Sequence, residues 1–338
     1  MTVRVAINGF GRIGRTITRA ALDRPGVRIV AVNDLVEPGL LAHLFRYDSV
    51  HGRLHQPVTV DGDTLAVAGH AIQVLRESDP AALPWADLDI DVVVESTGVF
   101  TDGKKAAAHL TAGAKRVLIA APATNEDVTV VLGVNADAYD GSQRVISNAS
   151  CTTNCAALLA KVLHDNFGVL RGLMNTAHAY TSDQRLHDVP HRDYRRARAA
   201  ANNIIPTTTG AARAIGKALP SLAGRLDGLA MRVPVIDGSV VDLTVELARA
   251  VTVDEVNQAF RKAAGGELAG LLVYTEDPLV SSDIVGTPAS CTFDASLTMV
   301  NDRPDGPSVV KVIGWYDNEF GFSHRTLDLA ELVGAHGE

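Results

Sequence analysis

The sequence predicts a two-domain protein in which an α/β domain with a parallel sheet precedes an α+β domain with an antiparallel sheet. Two observations support this fold class. The first half alternates short apolar runs with glycine turns and helix-like stretches. The second half contains long segments in which apolar and polar residues alternate, as they do in half-buried strands.

Composition is consistent with a two-domain fold, and it argues against a secreted, a membrane-spanning or a nucleic-acid-binding protein. A chain of 338 residues that is 46% hydrophobic is long enough for two cores. Its start lacks a signal-peptide pattern, and no apolar run approaches the roughly 18 residues of a membrane span. Three cysteines are an odd number, which indicates free thiols in a reducing compartment. With a net charge of −8, nucleic acid is not the expected primary ligand, and we expect a cytoplasmic protein.

The N-terminal elements predict a βαβ unit. Val3–Asn8 is a short apolar run typical of a buried strand, and the glycine turn GFGRIG follows it. The next segment has helical spacing, with apolar residues at Ile13, Ile17, Ala20 and Ala21. Val27–Asp34 then predicts a second strand. Strand, turn, helix and strand within about 30 residues indicate a parallel sheet.

The later elements follow two different patterns. Residues 58–75 alternate around an Asp-Gly turn and predict a hairpin, whereas 91–96 and 115–120 predict buried strands around the helix-like segment 101–113. The alternating segments of the second half are 172–181, 226–235, 239–248, 289–300 and 308–317. A helix over Thr252–Ala264 interrupts them, and the spacing of Thr252 and Glu255 predicts a capping box at its start.

A glycine motif lies between the first strand and the first helix. Gly9, Gly11 and Gly14 form G-x-G-x-x-G, which allows close approach of a pyrophosphate to the helix N-terminus. The pattern alone is common. Asp34 follows Gly14 by 20 residues, where an acid can bind ribose hydroxyls, although a solvated carboxylate or a helix cap is the alternative. All parts of the motif together favour a dinucleotide, and Asp34 would repel a 2′-phosphate, which indicates NAD rather than NADP.

Two cysteines stand four residues apart in SNASCTTNC. Ser150 is a good N-cap for a helix that would begin at Cys151, where the helix dipole favours a thiolate nucleophile. The alternative is a buried core thiol, which fits Cys155 and Cys291. Because C-x-x-x-C has no second ligand pair at zinc-site spacing, we expect no metal.

His178 is the candidate base among the eleven histidines. It ends an apolar strand beside Tyr180 and Thr181. Sequence alone does not show that it meets Cys151, and a lone strand histidine is more often a core residue.

The motifs, taken together and in order, resemble those of the glyceraldehyde-3-phosphate dehydrogenase family. The segments that carry the resemblance are INGFGRIGR, ESTGVF, SNASCTTNC, HAYTSDQ, RRARAAANNIIPTTTGAA, MRVPV and GWYDNEFGFS. They span essentially the whole chain, and the cysteine motif and the threonine-rich segment are highly specific.

The resemblance implies catalytic and binding roles. Cys151 would attack the aldehyde, and His178 would activate it and, with the Cys151 N–H, stabilise the oxyanion. Hydride would pass to NAD, and inorganic phosphate would cleave the resulting thioester. The implied cofactor-binding residues are Gly9, Gly11, Arg12, Ile13, Gly14, Asp34, Thr97, Gly98 and Asn318. The implied residues for the substrate's phosphate and the attacking phosphate are Ser150, Thr152, Thr181, Arg196, Thr209, Gly210 and Arg232.

The resemblance also refines the fold. It implies a doubly wound Rossmann domain at residues 1–150 and a catalytic domain at 151–317 with a large, mostly antiparallel sheet. The C-terminal helix, at about 318–338, would pack back onto the first domain. The family is homotetrameric, and its long loop (here about 182–203) lies at a subunit contact. The four arginines and one histidine of residues 191–198 therefore fit an anion site or a solvated interface better than a nucleic-acid patch.

Several positions bear on cofactor choice. Val189-Pro190 resembles the Leu-Pro of members that use NAD. Ala120 stands where many members carry a serine near the nicotinamide, and Ser78 replaces a frequent arginine near the adenine. These departures concern cofactor affinity and leave the reaction class unchanged.

The sequence also bears on two other functions. An erythrose-4-phosphate dehydrogenase would share the nucleotide and cysteine motifs, but that group usually loses the HAYT and PTTTGAA patterns kept here. An interaction protein that had lost catalysis would tolerate loss of Cys151 or His178, and both residues are present.

Overall fold

The computed structural model describes residues 2–301 and 306–335, so residues 336–338 of the expected C-terminal segment lie outside the described residues. The chain divides into two compact units. The first comprises the chain up to Val130, Ala136–Ala149 and the chain from Ser323. The second comprises Val131–Asn135 and Ser150–Phe322. The functional division at residues 150 and 317 stays a prediction.

The first unit contains a nine-stranded sheet with helices between its strands. The strands of the first unit, two of which lie outside this sheet, are β1 (Val3–Asn8), β2 (Val27–Asn33), β3 (Tyr47–Asp48), β4 (Gly52–Arg53), β5 (Val58–Asp61), β6 (Thr64–Val67), β7 (His70–Leu75), β8 (Val92–Glu95), β9 (Arg116–Ile119), β10 (Val128–Thr129) and β11 (Val145–Ser147). Its helices are α1 (Arg12–Ala21), α2 (Pro38–Arg46), α3 (Gly103–Ala106) and α4 (Ala108–Thr111).

The order of this sheet is β10-β11-β9-β8-β1-β2-β7-β6-β5, with β3 and β4 pairing separately. The strands from β10 to β7 pair in parallel, and β5, β6 and β7 form antiparallel hairpins. The order reverses direction at β1, which is the switch point of a doubly wound sheet. The predicted Rossmann-type architecture is confirmed.

The second unit is built on a larger mixed sheet. Its strands are β12 (Val169–Ala179), β13 (Ile205–Thr208), β14 (Leu226–Val233), β15 (Ser239–Leu247), β16 (Leu272–Thr275), β17 (Cys291–Asp294), β18 (Met299–Asn301) and β19 (Val309–Tyr316). Its helices are α5 (Cys151–Phe167), α6 (Ala211–Ala218), α7 (Val253–Ala264) and α8 (Ser281–Ile284). A last helix, α9, spans Phe320–Ala335.

The order of the second sheet is β13-β14-β12-β15-β19-β17-β16, with β18 beside β19. The pairs β12–β14 and β16–β17 are parallel, and the other described pairs are antiparallel. In β15 and β19, fully buried residues alternate with half-buried ones, so the core lies on one face. The long helix α5 contributes most of its side chains to this core. The predicted, mostly antiparallel sheet is confirmed.

Three predicted elements differ from the observed ones. The helix-like segment 101–113 is split into α3 and α4, because Leu110 N bonds the Ala107 carbonyl in a tighter, three-residue turn. The alternating segment 289–300 is broken after Asp294, whose carboxylate accepts the Ser296 N–H and starts a helical turn. The last helix begins at Phe320, because Asp317 accepts the Phe320 N–H. Within the described residues, no helix is both long and apolar enough to cross a bilayer.

Candidate active site

Cys151 is the first residue of α5. The Oγ of Ser150, at the N-cap, accepts the Thr153 N–H at 3.0 Å, which confirms the predicted cap. Ala149, just before it, has a φ of 54°, a left-handed conformation that a non-glycine residue rarely adopts. Ala149 is fully buried, so its surroundings hold this strained backbone in place. The start of the helix is therefore fixed on both sides of Ser150.

The end of β12 brings His178 to the cysteine. His178 is 5% exposed, and its Nε2 lies 3.4 Å from Cys151 Sγ. The two residues are 27 positions apart in the sequence, and the sequence did not establish that they meet. The contact places the candidate nucleophile and the candidate base within hydrogen-bonding reach of each other.

Both ring nitrogens of His178 have polar partners. Nδ1 lies 2.6 Å from the Ala179 carbonyl oxygen, which can only accept. Arg232 NH1, which can only donate, lies at the same 2.6 Å from Nδ1, so these contacts are compatible with either neutral tautomer. With the hydrogen on Nδ1, Nε2 faces Cys151 Sγ with a lone pair. This is the tautomer that can take a proton from the thiol.

Arg232 lies beside His178 because β12 and β14 are parallel and in register at these two residues. Its NH1 is 2.6 Å from His178 Nδ1 and donates to the Ala179 carbonyl at 3.0 Å. A permanent cation therefore stands next to the histidine and near the thiol.

The environment keeps the cysteine and histidine neutral. Burial raises the pKa of Cys151 to about 11, against the opposing effects of the Arg232 charge and the Thr152 N–H. Burial, together with the Arg232 charge, lowers the pKa of His178 to about 3. The helix start acts in the predicted direction, since the Thr152 N–H lowers the pKa of Cys151, and burial opposes it. The nearby imidazole of His178 is a group to which the thiol proton could pass.

Tyr316 is a residue of this site that the sequence analysis missed. Its hydroxyl is within 2.8 Å of Thr152 Oγ1 and 2.9 Å of Thr176 Oγ1, and its ring meets the His178 ring edge-on at 5.9 Å. The hydroxyl of Thr152, an expected phosphate ligand, is thus turned toward Tyr316. The alternation of β19 places Tyr316 on the buried face, which is the signal that could have identified it.

The other expected phosphate ligands lie on loops and helix starts. Thr181 bonds Gln184 Oε1 through both its N–H and its hydroxyl. Arg196 pairs with Asp183 at 2.5 Å. Thr209 accepts the Ala211 N–H at 3.2 Å, and Gly210 is the N-cap of α6. Thr209 and Gly210 are adjacent at a helix N-terminus, an arrangement that suits an anion.

Asn318 is fixed by a chain of hydrogen bonds. The Ala179 N–H donates to Ser239 Oγ at 3.0 Å, so the Ser239 hydroxyl donates to Asn318 Oδ1, 2.6 Å away. This chain sets the orientation of the buried Asn318 amide and links it to the residue after His178. Ser239 is a second residue that the sequence analysis missed.

The expected cofactor residues of the first unit fit a dinucleotide. Gly9 has a φ of 93°, and a Cβ on Gly14 would lie 2.2 Å from the Gly9 carbonyl oxygen, so both positions require glycine. A Cβ on Gly11, the N-cap of α1, would meet no heavy atom of the described residues within 4 Å. The helix start therefore has open space where a pyrophosphate would approach its N–H groups. Arg12 and Ile13 form the first turn of α1, and the Arg12 guanidinium binds Asp48 at 3.1 Å.

Asp34 stands at the end of β2, beside this turn. Its Oδ2 accepts the Phe10 N–H at 2.9 Å, and its Oδ1 accepts the Val36 N–H at 3.2 Å. The carboxylate is partly exposed, as binding to a ribose requires. Thr97 and Gly98 are exposed just after β8. The residues present therefore fit NAD within this unit.

The remaining cysteines are core residues. Cys155 and Cys291 are both 0% exposed, and Cys155 Sγ donates to the Gly314 carbonyl at 3.6 Å. Cys151 is the more accessible thiol. The interpretation of Cys155 and Cys291 as buried thiols is confirmed.

Comparison with known proteins identifies the same family in both halves of the chain. The family model for the glyceraldehyde 3-phosphate dehydrogenase NAD binding domain matches residues 3–103, and the model for the C-terminal domain matches residues 150–318. The chain is 60% identical to the glyceraldehyde-3-phosphate dehydrogenase of Streptomyces coelicolor over 337 residues, covering 99% of both chains. It is 58% identical to that of Geobacillus stearothermophilus over 338 residues, covering 100% of both.

Proposed function

Because the chain belongs to the glyceraldehyde-3-phosphate dehydrogenase family, we propose that it oxidises glyceraldehyde 3-phosphate to 1,3-bisphosphoglycerate with NAD and inorganic phosphate. The observation that carries the proposal is the 3.4 Å contact between Cys151 Sγ and His178 Nε2. It gives the family's reaction a nucleophile and a base in one place.

Cys151 and His178 act as a pair in the first step. As Sγ attacks the aldehyde carbon, the thiol proton passes to Nε2, and a thiohemiacetal forms. The resulting imidazolium and the Cys151 N–H stabilise the oxygen of the adduct. Burial raises the pKa of the free thiol, so the transfer of its proton to Nε2 assists the attack.

The same pair completes the reaction. NAD, when bound, supplies the hydride acceptor. The His178 imidazolium first gives its proton to the adduct oxygen, which completes the thiohemiacetal hydroxyl. His178 takes this proton back as the C–H bond gives up its hydride and the thioester forms. Inorganic phosphate then attacks the thioester carbon, the carbon–sulfur bond breaks, and Cys151 leaves as the thiolate and regains a proton from the His178 imidazolium. The products are the acyl phosphate and the free cysteine.

Phosphate recognition rests on Arg232 and the groups around it. A guanidinium binds phosphate through charge-assisted hydrogen bonds, and Arg232 stands 2.6 Å from the catalytic base. Thr209, Gly210, Thr181, Arg196, Ser150 and Thr152 complete the proposed phosphate-binding set. Asp34 at the end of β2 supports the choice of NAD, because a 2′-phosphate would meet its carboxylate.

We also propose that the protein is a cytoplasmic homotetramer. One side of the second sheet supports association, since its side chains are not buried within the chain. We call this side the outer face; it carries Arg171, Leu173 and Asn175 of β12, Asp242, Thr244 and Glu246 of β15, and Lys311, Ile313 and Trp315 of β19.

An omission assay tests the function. NADH formation at 340 nm should require glyceraldehyde 3-phosphate, NAD and inorganic phosphate together, and replacing NAD with NADP should reduce kcat/KM strongly. Cys151→Ser should abolish turnover, whereas Cys155→Ala, the matched change four residues along the same helix, should retain most of it. Phosphate-independent turnover, or an active Cys151→Ser variant, would contradict the proposal.

A further inference from the structure

A row of buried polar side chains crosses the carboxyl ends of three parallel strands in the first unit. The register pairs Asn8 of β1 with Asn33 of β2 on one side and with Glu95 of β8 on the other. These residues are 2%, 5% and 2% exposed. Three polar side chains at the switch point of the sheet are costly to bury unless each is bonded.

Hydrogen bonds join the row. Asn33 Nδ2 donates to Asn8 Oδ1 at 2.7 Å, and Asn8 Nδ2 donates to Glu95 Oε2 at 2.6 Å. Asn33 also bonds the backbone of Glu77. Its Oδ1 accepts the Glu77 N–H at 2.9 Å, and its Nδ2 donates to the Glu77 carbonyl at 2.9 Å. The amide orientations are therefore fixed, and the row ends at the Glu95 carboxylate.

A buried histidine supplies another donor to this carboxylate. Trp85 Nε1 donates to His109 Nδ1 at 3.0 Å, and an indole N–H cannot accept. His109 must therefore carry its proton on Nε2, which lies 3.2 Å from Glu95 Oε2. Both Trp85 and His109 are 0% exposed, so this arrangement is rigidly packed.

The second oxygen of Glu95 holds the next turn. Oε1 accepts the Thr97 N–H at 2.8 Å and also the Thr97 hydroxyl. Four donors thus converge on Glu95, two on each oxygen, which is the set that an ionised carboxylate accepts. A glutamine there would present an NH₂ group to two of these donors.

The Thr97 turn lies directly against the glycine turn. A Cβ on Gly9 would be 2.7 Å from Thr97 N, so the two backbones are in contact. Ser96 Oγ donates to the Gly9 carbonyl at 2.8 Å. The position of Thr97 therefore determines where the Gly9 turn can lie.

We propose that Glu95 is a positioning residue for NAD, which holds the Thr97 turn against the Gly9 turn while His109 and Trp85 hold Glu95. The inference rests on the proposed placement of NAD at Gly9, Thr97 and Asp34. Glu95 acts on the cofactor through Thr97 and takes no part in the chemistry at Cys151.

Calorimetric titration with NAD tests this role. Glu95→Gln should weaken NAD binding by about 10- to 100-fold, as expected from loss of charge-assisted hydrogen bonds. The kcat at saturating NAD should stay within about threefold of the wild type, because only cofactor binding is affected. Alkylation of Cys151 by iodoacetamide should be unchanged.

The matched control is Asp294→Asn in the second unit. Asp294 is also a buried carboxylate, and it accepts a tryptophan N–H from Trp315 at 3.1 Å. It should lower stability without changing the Kd for NAD. An equal loss of NAD affinity in both variants, or no loss in Glu95→Gln, would overturn the inference.

Two further variants keep the test decisive. Asp34→Ala tests the proposed cofactor site itself. If Asp34→Ala loses NAD affinity and Glu95→Gln does not, the inference about Glu95 is wrong and the proposed cofactor site stands. If only Glu95→Gln loses NAD affinity, the inference is supported and Asp34 does not belong to the cofactor site. If Glu95→Gln does not fold, Ser96→Ala replaces it, because Ser96 lies outside the proposed cofactor set and its Oγ joins the two turns. Weaker NAD binding by Ser96→Ala at unchanged Tm supports the inference, and wild-type affinity overturns it.

Discussion

In the proposed reaction Cys151 depends on His178, because burial of the thiol opposes its ionisation. Burial raises the pKa of Cys151 to about 11, and the Arg232 charge and the Thr152 N–H offset only part of this effect. The imidazole must therefore remove the proton as the sulfur reacts. The tautomer with its hydrogen on Nδ1, which the Ala179 carbonyl can accept, leaves Nε2 free to take that proton.

Replacement of the histidine should show this dependence. His178→Asn should lower kcat by about 10²- to 10⁴-fold, the usual contribution of a positioned acid–base group. The rate of Cys151 alkylation by iodoacetamide should fall with it. His70→Asn, an exposed histidine on β7, serves as the control and should leave both rates unchanged. Near-normal turnover and alkylation in His178→Asn would show that the histidine is only a core residue.

At the scale of elements, local signals predicted where two of the helices start. The cap at Ser150 fixed the start of α5, and the spacing of Thr252 and Glu255 fixed the start of α7. Both signals act within three residues, so the sequence displays them directly. The glycine motif predicted the β1–α1–β2 unit for the same reason.

Such local signals could not predict which residues of the site lie next to each other. Arg232 reaches His178 because β12 and β14 pair in parallel, and the two residues are 54 positions apart. The alternation within each strand shows its buried face and contains no information about its neighbour or the direction of pairing. The resemblance to a family supplied the roles of these residues, and Tyr316, Ser239 and Glu95 were missed because they act through contacts between strands.

The capping box of α7 makes a testable contribution to stability. Thr252 Oγ1 accepts the Glu255 N–H at 3.2 Å, and Glu255 Oε2 accepts the Thr252 N–H at 2.8 Å. Thr252→Ala removes one of these bonds and should lower the free energy of unfolding by about 1 kcal/mol. Denaturant titration measures the loss, and kcat and KM should not change, since neither residue belongs to the proposed active site. Gln258→Ala, at an exposed position of the same helix, should change stability much less, and an equal loss would contradict the cap's role.

At the scale of the whole molecule, the second sheet is covered by its own chain on one face. Val241, Leu243 and Val245 of β15 are at most 1% exposed, whereas their neighbours on the outer face are half-buried. Charged residues on the outer face pair across strands, as Lys311 does with Asp242 at 2.7 Å. Leu173 is apolar and makes no such ion pair, and 69% of its surface is exposed. A second copy of the chain would remove this apolar surface from water.

Leu173→Arg should therefore weaken the proposed tetramer. The substitution puts a charge at the contact and removes apolar area, and both effects oppose burial of the outer face. Sedimentation velocity at micromolar concentration should show dimers or monomers where the wild type sediments as a tetramer. Leu40→Arg, an exposed leucine on α2 in the first unit, is the matched control and should leave the assembly intact. A wild type that sediments as a monomer, or a Leu173→Arg variant that stays tetrameric, would show that the outer face is not a subunit contact.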